Sequence, residues 1–364
     1  MSATEQQEMP PARGLGASLK KRLRRELMRQ THLVERVVAG PLTPQVRTFS
    51  ETVFMWENAT LKRYVSREPR RYETPVLIIP PLMANPVIFD LRPGHSMVHH
   101  FLDAGFDTYM LDFGNPGEDQ KDITVEDYVT DFIPNGVQKL LEVTGAESVS
   151  LVGWSMGGIM SMIYTALYGE ESGVKNAIVL GSPFNFSTML PFSSLAGLVI
   201  TPLRAVIGQI GNVPGELTRA GFMAMAPLGT LTRYRALWTK YYDREFVAAW
   251  ETMGEFINAF FDYPQEAFLQ FLTDFIRDDK LRQEKLVMGE KTVKLSEVKA
   301  NILLFVGTGD KVASPESVQA LAELVSSRDM TVKYVPVGHI GLVEGSKAPS
   351  LVWTPMVDWL AERS

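Results

Sequence analysis

Residues 151–160 read LVGWSMGGIM, and they place Ser155 between two glycines directly after an apolar run. The residues before it, SVSLVG, are typical of a buried strand, and those after it, GIMSMIYTALYG, are typical of a helix. A Gly-x-Ser-x-Gly pattern between a strand and a helix predicts a tight turn that presents the hydroxyl beside a helix N-terminus. We interpret Ser155 as a nucleophile; the alternative is an ordinary turn in which the serine caps the helix.

Other short apolar runs lie on both sides of this turn. They are PVLIIP (75–80), DTYMLDF (107–113), AIVLG (177–181), NILLFVG (301–307) and TVKYVPV (331–337). Helical patterns such as VEDYVTDFIPNGVQKLLEVTG separate them, and buried strands that alternate with helices predict a mostly parallel, doubly wound sheet. Together with the Ser155 turn, this pattern predicts an α/β class protein with the α/β-hydrolase fold.

The alternation stops for about a hundred residues. Residues 184–295 contain no convincing strand, and aromatic residues recur there at helical spacing, as in REFVAAWETMGEFINAFF (244–261). We predict that 184–295 form a helical cap inserted into a core made of 46–183 and 296–364. Residues 1–45 are predicted to form an N-terminal segment outside this core.

The N-terminal segment contains a basic helical pattern, LKKRLRRELMRQ (19–30), with Leu19, Leu23 and Leu27 four residues apart. We expect this leucine row to pack as a thin stripe on the protein body, with the charges in solvent. Contact with a partner or with an anionic surface is the alternative.

The composition excludes several classes of function. The net charge of −6 gives no sign of nucleic-acid binding, and the absence of cysteine excludes disulfides and thiolate catalysis. The N-terminus has no apolar signal core, so we expect a cytoplasmic protein. Residues 176–203 carry no charge but are interrupted by prolines, so we predict no transmembrane segment.

A serine hydroxyl needs a base, and the chain has five histidines. His339 stands in Gly-His-Ile-Gly directly after the last predicted strand, and Asp310 follows NILLFVGTG. In this fold the acid and the histidine follow late strands, so we predict that His339 accepts the serine proton and Asp310 orients the imidazole. Asp112 also ends a predicted strand and is the competing acid.

The tetrahedral oxyanion of acyl transfer needs two hydrogen-bond donors. We assign one to the backbone N–H of Met156 and the other to the loop after PVLIIP. Pro81 has no N–H, so Leu82 is the first candidate in that loop and Met83 the second.

Three further histidines, His95, His99 and His100, lie together in GHSMVHH. No cysteine or carboxylate cluster accompanies them, so we expect a surface or helical role. We predict neither a metal nor another cofactor.

Longer stretches resemble the polyhydroxyalkanoate (PHA) synthase family over roughly residues 50–362. PVLIIPPLMANPVIFDLRPGHSMVHHFLDAGFDTYMLDFGNPG (75–117) resembles the family's oxyanion-loop region, and VGHIGLVEGSKAPSLVWTPMVDWLAE (337–362) resembles its C-terminal histidine segment. The resemblance implies a short catalytic subunit that works with a partner subunit, with a homodimer as the alternative, and an association with polyester granules. It also implies a pocket near Trp238, to which we add Met83 and Trp154.

The chain departs from this family at the nucleophile. The family's box carries a cysteine, whereas this chain has Ser155. Because a serine acyl-enzyme is the intermediate of ordinary ester hydrolases, we predict a serine hydrolase that cleaves hydroxyacyl esters, thioesters or a polyester. One alternative is an acyltransferase that polymerises 3-hydroxyacyl-CoA through serine. Another is a non-catalytic protein of polyester granules.

Overall fold

The chain divides into two compact units, each formed by two separate parts of the sequence. The computed structural model describes residues 15–40, 42, 47–188, 192–224 and 227–364. The larger unit comprises residues 45–227 and 253–364, and the smaller comprises 1–44 and 228–252. Residues 1–14 of the predicted N-terminal segment lie outside the described residues.

An eight-stranded sheet forms the centre of the larger unit. The strands of the chain are β1 (Ser50–Trp56), β2 (Ala59–Tyr64), β3 (Val76–Ile79), β4 (Thr108–Asp112), β5 (Val149–Trp154), β6 (Val174–Leu180), β7 (Val287–Met288), β8 (Lys291–Thr292), β9 (Asn301–Gly307) and β10 (Met330–Val335). The order in the sheet is β1-β2-β4-β3-β5-β6-β9-β10. The β1–β2 and β2–β4 pairs are antiparallel, and all neighbouring strands from β4 to β10 pair parallel. The predicted mostly parallel sheet is confirmed.

Strand β3 shows why the parallel strands have continuous apolar sequences. Its four residues are completely buried: Leu77 and Ile79 pack in one hydrophobic core, and Val76 and Ile78 pack in the other. Successive side chains of a strand point to opposite faces of its sheet, so a sheet covered on both faces needs apolar residues at every position. The sheet therefore lies between two cores.

The α-helices of the described residues lie before, between and after these strands in the sequence. They are α1 (Leu15–Ala39), α2 (Met97–Ala104), α3 (Val125–Asp127), α4 (Ile133–Thr144), α5 (Met156–Tyr168), α6 (Phe192–Ile210), α7 (Gly215–Ala224), α8 (Pro227–Lys240), α9 (Arg244–Asn258), α10 (Gln265–Gln270), α11 (Pro315–Gln319), α12 (Leu321–Leu324) and α13 (Thr354–Ala361). None of the helices in the described ranges combines the length and the apolar content that crossing a membrane requires.

The predicted cap segment differs from the expectation in two respects. Helices α6 to α10 do fall within 184–295, but the segment also contains the short hairpin β7–β8, whose two-residue strands are too short to show a periodicity. In addition, residues 228–252 group with the N-terminal helix, whereas the other cap residues group with the core. Residues 228–252 thus belong to a different compact unit from the other residues of the segment, and the assignment of 184–295 as a cap stays a prediction.

The smaller unit contains α1, α8 and the first part of α9, and α1 contacts its neighbours through polar groups. Nδ1 of the buried His32 lies 3.0 Å from the carbonyl oxygen of Tyr241. The expected packing of the leucine row is wrong, because Leu19, Leu23 and Leu27 are 60%, 63% and 67% exposed. The sequence pattern identifies an apolar face, but it does not identify which face of the helix contacts the protein.

Candidate active site

Ser155 lies in a sharp turn between the end of β5 and the first residue of α5. Its backbone has φ 54° and ψ −124°, a conformation that costs a non-glycine residue free energy and is typical of functional turns. The Ser155 N–H donates to the carbonyl oxygen of Leu180 over 2.9 Å, and the Ser155 carbonyl accepts from the N–H of Gly158 over 3.1 Å. These two bonds connect the turn to the end of β6 and to the first turn of α5.

The first turn of α5 lies against the loop that follows β3. A Cβ atom at Gly157 would overlap the carbonyl oxygen of Ile79, so only glycine permits this approach. Met156 is the first residue of α5, so its N–H group has no carbonyl acceptor within the helix. Leu82 is buried in the adjoining loop. The two predicted oxyanion donors thus belong to segments in direct contact, and their catalytic role stays a prediction.

His339 and Asp310 form a buried pair. Nδ1 of His339 lies 2.7 Å from Oδ2 of Asp310, and both side chains are almost completely excluded from solvent. The other oxygen, Oδ1 of Asp310, accepts from the N–H groups of Val312 and Ala313 over 2.8 and 2.9 Å. With its proton on Nδ1, the imidazole has Nε2 free to accept a proton, as a general base requires.

The neighbours of Ser155 contact this pair from two sides. The ring centroids of Trp154 and His339 are 5.2 Å apart. Gly181, directly after the residue that accepts the Ser155 N–H, has φ 54°, and a Cβ there would lie 3.4 Å from both Asp310 Oδ2 and His339 Nδ1. In the part of the chain that the structure describes, no hydrogen bond joins Ser155 to His339; such bonds are often long without substrate.

The competing acid, Asp112, has other partners. Its Oδ2 accepts a hydrogen bond from Nζ of Lys62 over 2.6 Å, and its Oδ1 accepts from the N–H of Gly114 over 3.0 Å. Asp310, not Asp112, is therefore the carboxylate beside the imidazole.

The three histidines of GHSMVHH differ in their polar partners and exposure, although the rings of His95 and His100 both lie near Trp353. His95 is buried, with Nε2 3.2 Å from a carboxylate oxygen of Glu344, while the exposed His99 pairs with Asp103 over 2.9 Å. Burial lowers the pKa of His100 from its ordinary value. Over the described ranges, no group of three or more histidines and carboxylates is arranged to hold a metal ion.

The three proposed pocket residues lie in different places. Trp154 is 2% exposed and packs beside the imidazole, so it supports His339 directly. The carbonyl oxygen of Met83 accepts from the N–H of Phe261 over 3.0 Å, so the loop after β3 contacts the predicted cap segment. Trp238 belongs to the smaller unit and is 68% exposed, with the Arg29 guanidinium 5.6 Å from its ring centroid. Its assignment to the pocket stays a prediction.

Phe222 is a site residue that sequence reasoning missed. It lies on α7, and its ring centroid is 6.3 Å from that of the His339 imidazole and 5.7 Å from that of Phe260. Its surroundings in the sequence, AGFMAM, carry no motif. Only the broader prediction of a helical cap over 184–295 included this segment.

The fold and this geometry agree with the comparisons with known proteins. The sequence matches the family model described as alpha/beta hydrolase fold over residues 74–346. The chain therefore belongs to the α/β-hydrolase fold family.

Within that class, the chain is similar to proteins named poly(3-hydroxyalkanoate) polymerase subunit PhaC. It is 33% identical to the one from Haloferax mediterranei, across 87% of this chain and 65% of that protein. It is 29% identical to the one from Allochromatium vinosum, across 86% of this chain and 88% of that protein. The chain thus spans less than two thirds of the Haloferax relative and most of the Allochromatium relative, and the resemblance to PHA synthases is confirmed.

The monoacylglycerol lipase of Paleococcus ferrophilus represents the similar solved structures. It superposes with a TM-score of 0.51 at 18% identity, covering 80% of this chain and 96% of that one. This similarity concerns the fold alone.

Proposed function

We propose that the chain is an acyltransferase that takes hydroxyacyl groups from coenzyme A thioesters onto Ser155 and joins them into a polyester. The similarity to PHA polymerase subunits over most of the chain carries this proposal. The pairing of Asp310 with His339 beside the Ser155 turn would provide an oriented base for the serine hydroxyl. The comparisons support this alternative better than the serine hydrolase that the sequence first suggested.

Acylation would begin when Ser155 Oγ attacks the thioester carbonyl while Nε2 of His339 takes the hydroxyl proton. The N–H groups of Met156 and Leu82 would donate to the oxyanion. When the C–S bond breaks, the coenzyme A thiolate leaves with the proton from His339. The product is an oxyester on Ser155, which is more stable than the thioester it replaces.

Chain growth would then require the hydroxyl of a second hydroxyacyl-CoA to attack this ester, with His339 taking the hydroxyl proton. The bond between the acyl group and Ser155 Oγ breaks, His339 returns the proton to Oγ, and the lengthened chain leaves as a coenzyme A thioester that can acylate Ser155 again. Water competes for the same carbonyl, so the outcome depends on how well water is excluded. Trp154 and Phe222 place apolar rings beside the imidazole, and Phe260 extends this apolar surface. These contacts favour transfer to a hydroxyl over hydrolysis.

We expect Phe222→Ala to raise the yield of free hydroxy acid relative to polymer several-fold, because removing the ring admits water beside His339. The matched control is Phe49→Ala in the same unit, since Phe49 is 67% exposed. The measurement is the ratio of free acid to polymer at equal release of coenzyme A. An unchanged ratio in Phe222→Ala would contradict the role given to this ring.

Hydrolysis is the second candidate, and the serine itself favours it. An oxyester on Ser155 is the intermediate that ester hydrolases resolve with water, and the resemblance implies a cysteine at this position. The third candidate, a non-catalytic granule protein, gives no reason for a buried carboxylate to orient an imidazole beside this turn.

The deciding experiment is to incubate the full chain with 3-hydroxybutyryl-CoA and to follow free coenzyme A, free acid and polymer together. We expect most acyl groups to appear in polymer. Ser155→Cys should also form polymer, with a smaller share of free acid. Free acid in equal amount to released coenzyme A, without polymer, would establish the hydrolase instead. If a fluorophosphonate probe did not label Ser155, both enzyme candidates would be wrong.

A further inference from the structure

Helix α1 presents an apolar row to solvent along most of its length. The side chains in this row are at least 60% exposed: Leu19, Leu23, Leu27, Val34, Val37 and Val38. At 3.6 residues per turn these positions fall within an arc of about 100°, and they extend over about 28 Å of helix. We call this set the apolar row of α1.

The other side of α1 faces the rest of its own unit through charged and polar groups. Glu35 forms a two-point ion pair with Arg244, with N–O distances of 2.7 and 2.8 Å. The Arg25 guanidinium lies 4.6 Å from the ring centroid of Tyr242. Surface helices of globular proteins normally bury the apolar face and expose the polar one. In α1 this arrangement is reversed: within the described ranges the apolar row is largely exposed, and only Leu19 and Leu23 also line a shallow groove with Tyr242.

Positive charge accompanies the apolar row near the start of α1. Lys20, Lys21, Arg22, Arg24 and Arg25 are all exposed there, whereas the whole chain has a net charge of −6. On the helical projection, Lys20 and Arg24 lie at one edge of the apolar row and Arg22 lies beyond the other. An apolar face with basic flanks on an otherwise acidic chain indicates an anionic partner with an apolar interior.

We propose that α1 lies along the surface of an anionic phospholipid layer, with the apolar row at the acyl boundary and the flanking basic side chains among the headgroups. The charges favour this occupant over two others. A second copy would bring an equally basic α1 to the same face, and a neutral polyester would give the lysines and arginines no countercharge. No helix in the described ranges can cross a membrane, so α1 would lie on the layer and not span it.

The test is co-sedimentation of the full chain with vesicles of phosphatidylglycerol and phosphatidylcholine in equal amounts, compared with phosphatidylcholine alone. We expect binding to the anionic vesicles that weakens as salt is raised. The charge variant Lys20→Gln/Arg24→Gln should weaken binding about 30-fold, since each basic side chain near such a surface contributes roughly a fivefold preference. The apolar variant Leu23→Ser/Leu27→Ser should also weaken it at least about tenfold.

The matched control is Val143→Ser/Lys175→Gln, which removes an exposed helical valine and an exposed lysine from the other unit. It should bind like the wild type, and circular dichroism and turnover of soluble substrate should be the same in all four proteins. Three results would each overturn the proposal. In the first, the wild type does not bind anionic vesicles. In the second, both α1 variants bind these vesicles as tightly as the wild type does. In the third, the wild type binds lipid-free polyester particles as tightly as it binds vesicles, and the charge variant binds the particles equally well. A dimer that only the α1 variants dissociate, without vesicle binding, would assign the row to a second copy.

Discussion

Replacing Ser155 by alanine is expected to reduce the release of coenzyme A from hydroxyacyl-CoA by at least about 10⁴-fold, because no other group in the site can form the acyl-enzyme. The backbone of the turn is held by main-chain hydrogen bonds to Leu180 and Gly158, which do not involve the hydroxyl. The melting temperature should therefore stay within a few degrees of the wild type.

The control for this variant is Ser161→Ala on the same helix. The Ser161 hydroxyl donates to the carbonyl oxygen of Gly157 over 2.7 Å and has no part in the proposed reaction. It should keep activity within about tenfold of the wild type. If Ser155→Ala retained activity similar to that of Ser161→Ala, Ser155 would not be the nucleophile.

The second large effect is expected for Asp310→Asn, which should lower kcat by about 10⁴-fold while the protein remains folded. An asparagine Oδ1 can still accept from the N–H groups of Val312 and Ala313, so the loop keeps its anchor. The amide NH₂ would then face Nδ1 of His339. This favours a proton on Nε2, where the imidazole cannot accept the serine proton.

Asp112→Asn is the matched control, since Asp112 also follows a sheet strand but pairs with Lys62. Its activity should stay within about tenfold of the wild type, and its stability should fall by about 1 kcal/mol at most, as for a partly exposed ion pair. Steady-state kinetics and thermal unfolding of both variants check the assignment. An equal loss of activity in the two would show that the Asp310 contact has no special role.

Strand β1, which the sequence analysis did not predict, differs in burial from the predicted strands β3 and β5. All residues of β3 and β5 are buried, and such strands are visible as short apolar runs. Strand β1, by contrast, has no buried residue and contains Glu51 and Thr52, and a shift in its pairing with β2 interrupts the alternation. An antiparallel edge pair of this kind carries too weak a pattern to be recognised from one sequence.

The candidate site shows a similar limit. Ser155, Asp310 and His339 were predictable because each follows a strand, and the carboxyl ends of parallel strands meet at one edge of the sheet. Phe222 was not, because its position beside the imidazole depends on how a helix of the long insertion packs. Sequence periodicity reports neither that packing nor the direction in which the leucines of α1 face.

The order of the strands in the sheet has a consequence for when the protein becomes active during its synthesis. Val76 pairs with Ser150 early in the chain, but Asn176 must wait for Asn301, which is made only after the whole predicted cap segment. Contacts between such distant parts of a chain form slowly. The turn that carries Ser155 can therefore form before the strands that bring Asp310 and His339 to it, so reactivity at the serine reports that residues 301–364 have folded.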